Sequence, residues 1–269
     1  MRKTILVLVI LGCLLLSTVS TNVRKQNRKS KTRTSIPAYS PVGPELITAP
    51  TQVQRINLLK QDSDFIFDFF NPPQGATGIG AAGRLVLASR STFPALVGNG
   101  ISLAAGFIGP CGMNSPHVHP RATEFLYSVN GTFRTGFIQE NGARKVNNTL
   151  YPGQAALFPR GSIHWQANLG CEPVMFIAGL SDEDGGITSV AQNLFKVDDD
   201  ILKASLGGVE IETIQESLSN LPNGVILGLQ SCQKRCGLIK KTPNTNNKGG
   251  KQNGGQQNEG QQWGGGIGW

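Results

Sequence analysis

From residue 83 to residue 181 the apolar positions come in short runs, many of them alternating with polar residues and punctuated by Gly, Pro and Asn. GRLVLASRS (83–91), GNGISLAAGFIGP (98–110), EFLYSVNG (124–131), GTFRTGFIQEN (131–141), RKVNNTLYPG (144–153), QAALFPRG (154–161), SIHWQANLG (162–170) and EPVMFIAGLS (172–181) all have the length and punctuation of β-strands. No long helical pattern separates them, which predicts a closed antiparallel sandwich. Upstream, SDFIFDFF (63–70) reads as an aromatic strand stopped by Asn71, Pro72 and Pro73. Residues 51–60 fit either a short helix or a strand, and the proline-rich stretch 35–50 reads as an extended linker. After Phe195 the period changes. Val197, Ile201 and Leu202, then Ile211, Ile214 and Leu218, recur at helical spacing, with Gly207 and Pro222 as stops. Trp165, Phe158, Leu157 and Phe176 are expected in the core.

The two ends have different textures. Arg2 and Lys3 precede an apolar run over 5–16 and a small-residue zone ending near Ser20, the pattern of a secretory signal. The run is shorter than the roughly 20 apolar residues that a membrane span needs, and no later stretch reads as a transmembrane segment. Beyond Lys240 the sequence is Asn/Gln/Gly-rich low complexity, expected to be disordered or wall-adhesive. The expected organisation is therefore a signal (1–20), a basic, proline-rich leader (21–50), a β-barrel (51–195), a helical segment (196–239) and a tail (240–269). The formal net charge of +8 resides in Arg2, Lys3 and six leader residues, Arg24, Lys25, Arg28, Lys29, Lys31 and Arg33, leaving the remainder neutral. With no aromatic residue in the basic stretch 22–34 for base stacking, nucleic acid is not an expected partner. A solvated leader, an electrostatic tether to an anionic surface and a processed pro-region all remain open. GATGIGAAG contains G-x-G-x-x-G from Gly78, but it follows no βαβ pattern, so a dinucleotide site is not expected.

The chemistry concentrates in 112–168, which holds all three histidines of the chain. Residues two apart on a strand share a face, so His117 and His119 can aim both imidazoles at one point. Glu124 and His164 would complete a cage of three nitrogens and one oxygen for a divalent transition metal. Four such ligands leave coordination positions open, as a catalytic site requires. Cys13 lies in the signal. Cys111, Cys171, Cys232 and Cys236 remain, and four thiols in a secreted chain read as two disulfides with three possible pairings. Asn130-Gly-Thr and Asn147-Asn-Thr are glycosylation sequons.

The segment GMNSPHVHPRATEFLYSVNG resembles the first cupin motif, and GQAALFPRGSIHWQAN resembles the second, through Gly153, Pro159, Gly161, His164 and Asn168. Within the cupins, NSPHVHPRATE is similar to the germin-like proteins and the spherulins. One departure is Cys111, where a glycine is expected six residues before His117. The resemblance extends from about residue 62 to about residue 229. It implies a jelly-roll barrel with short C-terminal α-helices, hence an all-β fold class, and a homo-oligomer. It implies Mn²⁺ as cofactor on His117, His119, Glu124 and His164. In such a barrel the strand of His117 lies antiparallel to that of His164, which implies Cys111–Cys171 and, by default, Cys232–Cys236. Asn114 matches one of two substrate-binding asparagines of the oxalate-oxidising germins, but the second position is Ala104, thirteen residues before His117. Loss of an amide donor worth about 2–4 kcal/mol makes superoxide a better expected substrate than oxalate or another small dicarboxylate. Asn168 and Arg121 are expected to be structural.

Two functions of different class follow. One is a secreted manganese cupin with superoxide dismutase-type or oxalate-oxidising activity, in which Asn114 contacts the substrate. The other is a spherulin-type cell-wall or spore-coat protein whose metal is structural.

Overall fold

The computed structural model describes residues 43–209 and 224–239. The signal, most of the leader, the helical pattern at 211–218 and the low-complexity tail lie outside the described residues.

Two antiparallel sheets face each other. The first runs in the order β1 (Thr77–Gly80), β2 (Gly83–Ala88), β3 (Ser102–Ile108), β10 (Val174–Leu180), β5 (Glu124–Asn130), β8 (Ala155–Phe158). The second runs β11 (Thr188–Ser189), β4 (Gly112–Val118), β9 (Ile163–Ala167), β6 (Phe133–Ile138), β7 (Val146–Leu150), and a further strand, β12 (Val225–Leu227), also pairs with β4. This is the expected jelly roll. Alternation along the strands builds its interior: Glu124, Leu126 and Ser128 of β5 point in, while Phe125, Tyr127 and Val129 point out. Leu126, Phe133, Leu150, Phe158, Val174, Phe176 and Ile108 form the core between the sheets. Gly106 of β3 lies opposite Phe176, where a Cβ would stand 2.2 Å from the ring. The barrel thus accommodates a large side chain by removing one from the neighbouring strand.

The short helices are α1 (Pro44–Thr48), α2 (Gln52–Leu58), α3 (Val190–Leu194), α4 (Asp199–Ser205) and α5 (Gln230–Arg235). The ambiguous stretch 51–60 is helical because Thr51 and Gln54 form a reciprocal capping box. α1 interrupts the expected extended linker; it starts on Pro44, whose missing N–H costs a helix nothing in its first turn, and it buries Leu46.

Two other expectations are corrected. The segment 63–70 is no strand: Asp62–Phe65 is a 3₁₀ turn, and Asp68 accepts hydrogen bonds from the Phe70 and Asn71 backbone. Its alternating Phe67 and Phe69 instead pack on Val86, Ala105 and Phe107, the outer face of the first sheet. Leu157 is 54% exposed and Trp165 half-buried, both facing outward, whereas Phe158 and Phe176 are core as expected. The glycine motif at 78–83 forms the β1–β2 hairpin. There a Cβ on Gly80 would fall 1.9 Å from the Val225 carbonyl oxygen, so this glycine allows β12 to cross.

Candidate metal centre

The site begins with a defect in a strand. β4 and β9 pair Met113 with Ala167 and Asn114 with Gln166, then skip to His117 opposite His164. Two residues, Ser115 and Pro116, therefore oppose the single Trp165, which is a β-bulge. Proline has no N–H for the ladder, so a bulge is where a strand tolerates it. Residues three apart normally face opposite sides of a sheet. The bulge places Asn114 and His117 on the same, inward side, and both are buried. His119 lies just past the end of β4, and Glu124 opens β5 across the interior.

The four side chains converge. His119 Nε2 is 3.0 Å and His164 Nε2 3.1 Å from Glu124 Oε2. The imidazole centroids are 4.1 Å (His117–His164), 5.1 Å (His117–His119) and 5.2 Å (His119–His164) apart. One donor atom from each of the four lies within 4.8 Å of every other. Coordination bonds of about 2.0–2.2 Å place donors around one ion up to roughly 4.4 Å apart, so a small adjustment seats a metal. The far nitrogens are committed elsewhere. His117 Nδ1 is 2.8 Å from the Ser115 carbonyl, His164 Nδ1 2.9 Å from that of Ser162, and His119 Nδ1 2.5 Å from that of Gly186. Each Nδ1–H donates to a carbonyl, which turns Nε2 towards the common space as the nitrogen that would bind a metal.

Electrostatics agree with a cation site. Burial, reinforced by the neighbouring His164, pushes His117 down to about 3, so it stays neutral. Burial alone would raise Glu124, but hydrogen bonds from His119 and His164 hold its carboxyl far below the usual range. Burial pulls His119 down as well, yet its bond to Glu124 outweighs this and leaves it raised. The arrangement is a fixed carboxylate among imidazoles that can exchange a proton for a metal ion. Phe158 stacks on His164 at 4.7 Å and 15° between planes, walling the site on that side.

Asn114 Nδ2 donates to Gln166 Oε1 at 2.8 Å, within the buried interior. Gln166 Nε2 is buried without a hydrogen-bond partner among the described residues. Gln166 was not expected. The available signal was its position two residues after His164, which puts both on one face of β9. Asn168 clamps a turn, donating to the carbonyls of Gly109 and Glu172 and accepting from Gly170 N–H, the structural role expected. Of the two sequons, Asn130 uses its Oδ1 to accept the Met175 N–H, whereas Asn147 is exposed on β7.

The disulfide pairing is corrected. Cys111 bonds Cys232, and Cys171 bonds Cys236. Cys111 and Cys171 do meet at one end of β4 and β9, since Cys111 N–H donates to Gly170. α5 lies across that end, and it and the residue that caps it, Cys236, supply the partners. Helical residues four apart hold their Cβ atoms about 5–6 Å apart, beyond the roughly 3.5–4.5 Å a disulfide spans, so a local Cys232–Cys236 bridge is excluded. Cys111 has φ +53°, the backbone region that favours the glycine expected there. Disulfides persist in oxidising compartments and are rare in reducing ones. No helix among the described residues is long and apolar enough to cross a membrane.

Known proteins resemble this chain in sequence and in fold. The family model described as Cupin matches residues 67–207. Spherulin-1A of Physarum polycephalum is 42% identical over 193 residues, covering 72% of this chain and 78% of that protein. Germin-like protein subfamily 1 member 13 of Arabidopsis thaliana is 37% identical over 134 residues, covering 49% of this chain and 60% of that protein. Among solved structures, oxalate oxidase in complex with the substrate analogue glycolate superposes with a TM-score of 0.51 at 23% identity, covering 60% of this chain and 85% of that one, a likeness of fold.

Proposed function

Because the chain belongs to the cupin family, we propose that it is an extracellular oxidoreductase, probing a small oxygen-rich substrate at one Mn²⁺ held by His117, His119, Glu124 and His164. The observation that carries this reading is the orientation of the three imidazoles, each with Nδ1 bonded to a backbone carbonyl and Nε2 turned towards the same space as Glu124. Three neutral nitrogens with one carboxylate suit a divalent transition metal, and the carboxylate favours manganese over softer ions. The bound ion would supply a redox couple and coordination positions open to substrate.

The chain's own residues do the rest. Glu124 neutralises part of the ion's charge in a buried site, and Phe158 excludes water behind His164. Gln166 holds Asn114 by its Oε1, and the unpaired Gln166 Nε2 offers an N–H to a substrate oxygen. At the second amide position of the oxalate-oxidising germins, Ala104 packs its methyl group against the core and supplies no donor. Superoxide is therefore the preferred substrate and oxalate the weaker one. Secretion, N-glycosylation and assembly into a homo-oligomer are parts of the same reading.

A second reading has its own support: the likeness to Spherulin-1A covers more of the chain than that to the germin-like protein. On that reading the metal stabilises a wall or coat protein and turnover is incidental. The deciding experiment measures bound metal in the purified protein and assays superoxide and oxalate turnover beside His119→Ala. Manganese-dependent superoxide turnover that this variant lacks supports the enzyme; a metal-loaded protein inert in both assays selects the structural role.

A further inference from the structure

His117 and His164 each orient on a carbonyl two residues upstream along the chain. His119 differs. Its Nδ1 partner, the Gly186 carbonyl, comes from 67 residues away. His119 is also the most exposed of the three imidazoles, at 13% against 2% for His164. Its orientation therefore depends on the loop 181–187 between β10 and β11.

That loop is a strap tied at several carbonyls. Ser102 Oγ donates to Asp182 O at 2.7 Å, and Arg90 N to Glu183 O at 2.9 Å. The tie next to the metal centre is Arg121, two residues beyond His119. Arg121 Nε donates to Asp184 O at 2.6 Å, its backbone N–H to Gly185 O at 3.2 Å, and its Nη2 pairs with Asp184 Oδ2 at 3.1 Å. The guanidinium lies close against Gly186: a Cβ there would stand 2.7 Å from Nη2, and Gly186 has φ +70°. The guanidinium thus holds Asp184 at two points and lies against Gly186, while the Arg121 backbone ties Gly185, so this one residue braces the stretch that delivers the carbonyl to His119.

We propose that Arg121 is a positioning residue for the metal centre, holding the strap so that Gly186 keeps His119 Nε2 aimed at the ion. This rests on the metal-binding reading above. The side chains of Arg121 and Asp184 are 51% and 44% exposed, so their pairing contributes little to global stability. Its effect should instead appear locally, because groups that orient a ligand from behind typically account for about 10–100-fold in metal affinity.

The test titrates Mn²⁺ into the metal-stripped full chain, comparing wild type, Arg121→Ala, Arg121→Lys and His119→Ala. Melting temperatures of the metal-free proteins and the electron paramagnetic resonance spectrum of bound Mn²⁺ are recorded alongside. Arg121→Ala should bind about 10–100-fold more weakly, with an altered spectrum and a nearly unchanged metal-free melting temperature. Arg121→Lys should recover only part of the affinity, since an ammonium cannot make the Nε and Nη2 bonds together. Arg121→Ala binding within twofold of wild type, while His119→Ala loses the ion, would overturn the inference and leave the metal reading intact. An affinity loss matched by an equally large fall in metal-free stability would also overturn it, by making Arg121 merely structural. A wild type that takes up no Mn²⁺ overturns both.

Discussion

Acidifying the metal-free protein offers a sharp test of the site's electrostatics. His117 is buried and its pKa is lowered from 6.5 to about 3. Because the folded value is depressed, the stability that His117 contributes is fully present above pH 6.5 and is lost as pH falls towards 3. At 1.36 kcal/mol per unit, the whole shift corresponds to about 5 kcal/mol, a large part of the roughly 5–15 kcal/mol that holds a domain folded. Glu124 acts in the same direction but only below its ordinary 4.5, since its folded value is also depressed. His119 has the opposite sign: its folded value is raised, so its contribution is present below 6.5 and is lost as pH rises through the folded value. Between pH 6.5 and 4.5, then, His117 alone of these three should impose a slope, amounting to about 3 kcal/mol across the window. Urea denaturation of chelator-treated protein at several pH values measures it. His117→Asn, which keeps a donor for the Ser115 carbonyl but cannot titrate, should flatten the curve. A wild type whose stability is level across that window, or a variant with an undiminished slope, would refute the reasoning.

Further expectations concern metal, packing, covalent links and modification. Adding Mn²⁺ at a thousand times its dissociation constant should stabilise the folded chain by about 4 kcal/mol, an upward shift in melting temperature that His164→Ala should abolish. Gly80→Ala should lower stability by at least about 2 kcal/mol, because its methyl group would meet the Val225 backbone oxygen at 1.9 Å rather than a side chain that can turn aside; equilibrium unfolding decides this. Non-reducing peptide mapping should recover Cys111 with Cys232 and Cys171 with Cys236, and Cys232→Ser should cost about 2–5 kcal/mol. Mass spectrometry of the glycosylated protein should find a glycan at the exposed Asn147 and none at Asn130, whose carboxamide is bonded to Met175.

What the sequence determined by itself was the part governed by short-range periodicity. Period-two alternation and Gly/Pro punctuation marked β2, β3 and β5 to β10, and the two-residue spacing of His117 and His119 marked the end of β4 where both imidazoles turn to one point. Similarity of motif then joined Glu124 and His164 to them. What only the tertiary structure decided depended on contacts across the barrel. The bulge at Ser115 and Pro116, which brings Asn114 to the side of His117, is a property of β4 paired with β9. The hydrogen bond between Asn114 and Gln166 requires the same pairing. The aromatic run at 63–70 has a strand's alternation, but it finds its partner on the outer face of the first sheet and needs no ladder. Leu157 and Trp165 have core composition and outward register, and register is set by neighbours. The cysteines were paired by an α5 that crosses the strand ends, and His119 takes its carbonyl from a strap 67 residues away. Local pattern fixes which way a side chain alternates; which distant backbone meets it is settled only when the two sheets close.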